Sequence, residues 1–222
     1  GVVSLAAVAV VVGWAQISPL LRDSLAASVP ATAGETFALL RECHKRRAYG
    51  AMRPYIHPSG REAVIDLLIS VDELSMANSA VLGAIKRACP EIEVDRYDLA
   101  SVIQSRLELF SNEVDLVEVQ EEGDRCTVTV EVSGRLPLER LAFERNGGLW
   151  QYQPGPENPE ILQTIRGLTR TFNQIELALG SGEWTADRID REFQIRIRPK
   201  LRLIRQQVVP PEIAASQAAE PS

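Results

Sequence analysis

The chain changes its hydrophobic rhythm twice. Apolar residues recur at helical spacing from about residue 35 to 110, alternate from 114 to 152, and return to helical spacing from 161 onward. In the first stretch Phe37 and Leu40, with His44 on the same face, predict a helix from about Glu35. Gly50, Pro54, Pro58 and Gly60 break it. Ser59 then reads as the N-cap of a second helix, with Glu62 three residues on to complete a capping box. Val64, Leu67, Leu68, Val71, Leu74, Val81, Leu82 and Ile85 hold the helical period up to Cys89-Pro90, and the polar stretch 75–79 is where it would be interrupted. Leu99, Val102, Ile103, Leu107 and Phe110 predict another helix over 98–110.

In the second stretch Val114, Leu116 and Val119 face a core, and Gly123-Asp124 signals a turn. "RCTVTVEVSG" alternates, with Cys126, Val128, Val130 and Val132 on one face and Thr127, Thr129 and Glu131 on the other. Leu138, Leu141 and Phe143 continue the inner face. Asn146-Gly147 reads as a hairpin turn because both residues tolerate positive φ, and "LWQYQ" closes the set. Four short strands in sequence predict an antiparallel meander, one face of which the helices must cover.

"QPGPENP", residues 153–159, marks a boundary. Beyond it Ile161, Ile165, Leu168, Phe172, Ile175 and Leu179 form a heptad-like seam, read as intramolecular core in preference to a dimer interface. Thr185 reads as the N-cap of a partner helix carrying Ile189, Phe193 and Ile197. Residues 193–205 also alternate as a strand would, and Pro199 cannot sit inside a straight helix, so the expected form is an αα-hairpin kinked at Pro199.

The fold class expected is therefore α+β: helices packed on a curved antiparallel four-stranded meander, with an N-terminal apolar helix and a C-terminal αα-hairpin. The organisation expected is a signal-like or transmembrane segment at 1–22, a linker at 23–34, an α+β domain at 35–153, a helical hairpin at 158–208 and a disordered tail at 209–222, where Pro, Ala, Ser and Glu predominate.

Composition narrows the function classes. With 45% hydrophobic and 24% charged residues the 222-residue chain can bury a substantial core. A net charge of −6 argues against general nucleic-acid binding, which favours a basic surface. Cys43, Cys89 and Cys126 form no CxxC pair, and with two histidines in the chain a zinc site is not expected. They read as buried thiols, one disulfide being open to them in an oxidising compartment. No metal and no cofactor are expected. The uncharged run "GVVSLAAVAVVVGWA", residues 1–15, fits either a membrane anchor, if the span extends to Arg22, or a removed signal, with small residues at Gly13 and Ala15. Both place the protein at a membrane or exported, on the periplasmic or extracellular side.

The order of elements carries a resemblance. Helices followed by a meander with Val117, Val119, Gly123, Asp124, Val128 and Val130, then Gly147, Gly148 and Trp150, resembles the nuclear transport factor 2-like, cystatin-like superfamily and its exported bacterial members. "AYGAMRPYIHP", residues 48–58, looks like the bend that turns a helix toward the pocket in that group. The resemblance covers about residues 35–153 and implies a strongly curved sheet forming a cone. Members include isomerases and dehydratases; the isomerase members use an Asp general base with Tyr or Asp oxyanion donors inside the cone, and no position here matches theirs by motif, so no catalytic residue is assigned.

Candidate side chains are few. Tyr55 and His57, with Tyr49 and Arg53 nearby, and Trp150 are nominated as ligand-binding residues, although a half-exposed loop and a packed Trp explain them as well. His44, ahead of three basic residues, reads as a solvated helix end. Asp66, Asp72 and Glu73 read as a solvated face. Arg196, Arg198, Lys200, Arg202 and Arg205, with no acid among them, are candidates for contact with anionic lipid or an acidic partner; the plainer reading pairs them with Glu157, Glu160 and Glu176. The function expected is a non-enzymatic, membrane-anchored or exported binding or scaffolding domain of unknown ligand or partner, with the membrane, through the N-terminal apolar segment, and a protein partner as its expected contacts. The alternative is a small-molecule-binding protein, or an isomerase- or dehydratase-like enzyme, using the cone cavity.

Overall fold

The structure is a computed structural model that describes residues 29–99, 110, 114–132, 138–156, 158–181 and 184–208, apart from the side chains at 132 and 205–208. The apolar segment, the linker up to residue 28, the core of the expected helix at 98–110 and the C-terminal tail lie outside the described residues.

α1 (Ala33–Lys45) starts at Thr32, whose hydroxyl accepts from the Glu35 amide at 3.1 Å. The Glu35 carboxylate accepts in return from the amides of Ala31 at 2.7 Å and Thr32 at 3.3 Å. This capping box satisfies amides that have no partner inside the helix. A single helical turn, Tyr49–Met52, and a 3₁₀ turn, Arg53–Tyr55, lead to α2 (Arg61–Ala88). The cap of α2 differs from expectation. Gly60 takes the N-cap place without a side-chain bond, while Ser59 Oγ is engaged 2.8 Å from His57 Nδ1 and Glu62 pairs with Arg53.

α2 is unbroken for 28 residues, about 42 Å at 1.5 Å per residue. The polar stretch at 75–79 does not interrupt it. Ser79 Oγ donates to the Ser75 carbonyl at 3.1 Å, and buried Asn78 donates to Asp98 Oδ1 at 2.8 Å. By length and composition α2 could cross a membrane, with a mean hydropathy of 1.3, but half of that window is buried inside the fold, as in a core helix.

The strands β1 (Val114–Glu122), β2 (Arg125–Val132), β3 (Glu139–Asn146) and β4 (Leu149–Gln153) form one antiparallel sheet in the order β1-β2-β3-β4. Cys126, Val128 and Val130 of β2, Leu141 and Phe143 of β3, and Trp150 and Tyr152 of β4 are buried. At the last hairpin Asn146 pairs with Leu149, so the central turn residues are Gly147 and Gly148, at φ 59° and 84°, one position later than the sequence suggested. Leu116 and Leu138, expected inside, are 43% and 40% exposed. The register of β1 against β2 slips between Leu116 and Glu118, leaving Val117 as an extra residue, and Leu138 stands before β3 begins. The inner pairs β2–β3 and β3–β4 run in unbroken register. With its one irregularity on the edge strand, the sheet is not strongly curled, in contrast to the strongly curved cone the resemblance implied.

α3 (Pro159–Leu179), α4 (Ala186–Glu192) and α5 (Arg198–Val208) make up the C-terminal part. Asn158 caps α3 by accepting from the Ile161 amide at 3.3 Å, and Thr185 caps α4 by accepting from Arg188 at 3.4 Å. The expected kink takes a specific form. A π-helical turn over Phe193–Ile197 joins α4 to α5, which puts Pro199 in the first turn of α5, where a missing N–H is tolerated.

Two apolar cores result, and α2 contributes to both. Its first half sends Val64, Ile65 and Leu68 toward the sheet, with Phe37, Leu40, Met52, Ile56, Phe110, Phe143 and Trp150. From Val71 onward it sends Val71, Leu74, Val81 and Ile85 into a helical core with Ile165, Leu168, Phe172, Ile175, Phe193 and Ile197. Near the changeover Arg166 of α3 donates to Ser70 Oγ at 3.3 Å and lies 3.7 Å from Asp66.

Candidate functional site

The segment before α2 runs beside β4. Ile56 forms a parallel bridge with Tyr152, the His57 amide donates to the Tyr152 carbonyl at 2.9 Å, and Gln151 Nε2 donates to the Pro54 carbonyl at 2.8 Å. Tyr55, His57 and Trp150 therefore come from adjacent backbone, but they occupy different surroundings. Trp150 is 1% exposed within the sheet core, with the Arg145 guanidinium 4.8 Å from its ring centroid. Tyr55 is half-buried against that same core, and half-buried His57 is engaged with Ser59.

A second group of polar residues was not anticipated. Asp72, in the middle of α2, accepts a hydrogen bond from the Tyr49 hydroxyl and lies 3.5 Å from Arg47 Nε. His44, read from sequence as solvated, is buried at 6% exposure; its Nε2 is 3.7 Å from Asp72 Oδ1 and its Nδ1 is 3.4 Å from the Phe110 carbonyl. The sequence held the signal for His44, since positions 37, 40 and 44 share one helical face, but the three basic residues that follow pointed to solvent. Burial, and then the bond to Asp72, push the Tyr49 phenol well above its usual range. A phenol held protonated against a carboxylate is a fastening between the single turn after α1 and the middle of α2, not a base.

The basic run spans the π turn and α5, and of its described side chains Arg196 and Lys200 face α3. Arg196 pairs with Glu192 at 3.2 Å and donates to Gln174 of α3. Lys200 Nζ donates to Thr171 Oγ1 at 2.9 Å and approaches the Arg196 carbonyl at 3.4 Å. Burial, then the positive charges of Arg196 and Arg170, lower the pKa of Lys200 below its usual value. Arg198 and Arg202 are exposed, and neither they nor Lys200 form an ion pair with a described residue. Among the described residues the acid seen to engage this run is Glu192, through Arg196. Glu157 and the Arg205 side chain lie outside the described residues. Ile195 and Leu203, at 67% and 48% exposure, stand beside these cations on the same segment.

Other chemistry is sparse. The three cysteines are free and buried, and burial pushes each thiol up, away from the reactive thiolate. Among the described residues no group of three or more His, Cys, Asp or Glu side chains could hold a metal ion. A shallow depression of about 410 Å³ lies against the outer sheet face, lined by residues that include Gln120, Thr127, Ala142 and Gln153.

Comparison with family models, with curated proteins and with solved structures found no match for the chain. The class that the geometry defines is an α+β protein with a four-stranded antiparallel meander and a packed C-terminal helical unit.

Proposed function

We propose that the chain is a non-enzymatic binding or scaffolding domain, membrane-anchored or exported, whose C-terminal helical unit is the contact face. One observation carries this reading. From Phe193 to Val208 the sequence holds five basic residues and no acid, in a chain of net charge −6. Two of these cations, Arg198 and Arg202, are exposed without an ion-pair partner among the described residues, next to exposed Ile195 and Leu203. Cations flanking apolar side chains on one helix suit an anionic lipid surface, where each Lys or Arg near the surface contributes about 1 kcal/mol. The uncharged run at residues 1–15 would hold that face near a bilayer.

The relation to the cone-shaped superfamily enters this reading as a shared arrangement, helices on one face of a four-stranded meander. The cavity-based alternative is less favoured, because among the described residues Phe37, Leu40, Ile65, Phe143 and Trp150 pack into one apolar cluster between helices and sheet.

Co-sedimentation of the full chain with phosphatidylcholine vesicles, with and without phosphatidylglycerol, tests the proposal. Binding that needs the anionic lipid, weakens with salt and falls in the R198Q/R202Q variant is expected. Equal binding by that variant would show that the helical unit is not the contact face, and no binding at low salt would remove the lipid surface as partner.

A further inference from the structure

We propose that the crevice between α3 and α5 is an anion site for a phosphate group, formed by Arg170 of α3 with Arg196 and Lys200 from the π turn and α5. This deepens the contact-face reading and rests on it for the source of the phosphate, though not for the chemistry.

The antiparallel approach of the two segments creates the site. The Lys200 stem runs past Gly167, its Cε at ordinary contact distance, 3.7 Å, from where a Cβ would stand there. The Thr171 hydroxyl donates to the Gly167 carbonyl at 2.8 Å, so its lone pair is what receives Lys200 Nζ at 2.9 Å. An ammonium has three donors. Two are directed at Thr171 Oγ1 and the Arg196 carbonyl, which leaves one uncommitted. Arg196 uses its two terminal nitrogens on Glu192 and Gln174. Arg170 is exposed and makes no hydrogen bond or ion pair with a described residue, so its whole donor fork is free.

Arg196 and Lys200 thus meet against Gln174 and Thr171 of α3, within the field of Arg170, and among the described residues the carboxylate engaged there is Glu192, by Arg196. Crowding like charges around a half-buried lysine is unfavourable unless an anion offsets it; burial first, and then the charges of Arg196 and Arg170, lower the pKa of Lys200. A carboxylate ligand would balance one charge. A phosphate group brings more charge and a tetrahedral set of acceptors, which suits an arginine fork and an ammonium approaching from different helices.

Isothermal titration of the full chain with inorganic phosphate, against chloride at matched ionic strength, tests the site. Saturable binding is expected, weakened about tenfold by R170Q and again by K200Q, and unchanged by R198Q/R202Q. R170E carries a second, opposite readout: a carboxylate beside Lys200 should raise the melting temperature at low salt while abolishing phosphate binding. No saturable binding, or binding indifferent to both R170Q and K200Q, overturns the site, whatever the vesicles do. Vesicle binding lost in R198Q/R202Q without phosphate binding would keep the contact face and sink the site. Phosphate binding without vesicle binding would do the reverse, and marks a soluble phosphate compound as the ligand. Competition between phosphate and phosphatidylglycerol vesicles marks a lipid headgroup.

Discussion

Gly60 is a position where the absence of a side chain holds two distant segments together. A Cβ there would stand 2.4 Å from Pro154 Cγ, closer than atoms can approach, so the start of α2 or the segment after β4 would have to move. G60A should therefore destabilise the protein by roughly 1–3 kcal/mol in a denaturant titration, the usual cost of overpacking. Tyrosines give a pH test with a definite sign. Burial pushes Tyr97 and Tyr152 up from 10.0 to about 12, aided at Tyr97 by its bond to Asp190 and at Tyr152 by the charge of Glu139. The unfolded chain then releases these protons first, so their contribution is intact below pH 10.0 and is lost as pH rises to about 12. Phenolate absorbance should show these groups titrating late, together with alkaline unfolding. Replacing Asp72 by Ala leaves the Tyr49 hydroxyl without its acceptor and should cost about 1–3 kcal/mol. The sequence could not show this fastening, because Tyr49 and Asp72 are 23 residues apart and meet through tertiary packing.

At the scale of elements, the change of period from helix to alternation located all four strands closely, since a half-buried antiparallel sheet imposes that alternation on its sequence. What escaped were features set by neighbours. The slip at Leu116/Glu118 depends on how β1 meets β2, and Ser59 was a plausible cap until His57 engaged its hydroxyl. Pro199 did announce a break, but whether as kink or π turn was decided by packing Phe193 and Ile197 into the helical core. Of the candidate site, the cations were legible as an acid-free run, whereas Arg170 and Thr171 become relevant once α3 lies against α5. The cap that was formed is testable: T32A removes the acceptor for the Glu35 amide and should cost about 1 kcal/mol, with faster amide exchange in the first turn of α1.

At the scale of the molecule, α2 couples the sheet core to the helical core, so the two should unfold as one. F143A in the first and F172A in the second should each remove about 3–5 kcal/mol. In both variants Trp fluorescence and far-ultraviolet circular dichroism should report coincident transitions. Separate transitions would show that the two cores are energetically independent despite the shared helix.

That shared helix has a practical consequence for dissecting the protein. The Pro- and Gly-rich stretch after Gln153 invites a cut, and on sequence grounds it divides a sheet-bearing piece from a helical one. Such a cut would strip α3 and its neighbours from α2 beyond Ser70, leaving Val71, Leu74, Val81 and Ile85 as a bare apolar stripe in water. The shortened protein would be expected to clump, or to shelter that stripe in detergent or lipid. Bilayer affinity measured on such a fragment would report the wound made by the cut and not the behaviour of the intact chain.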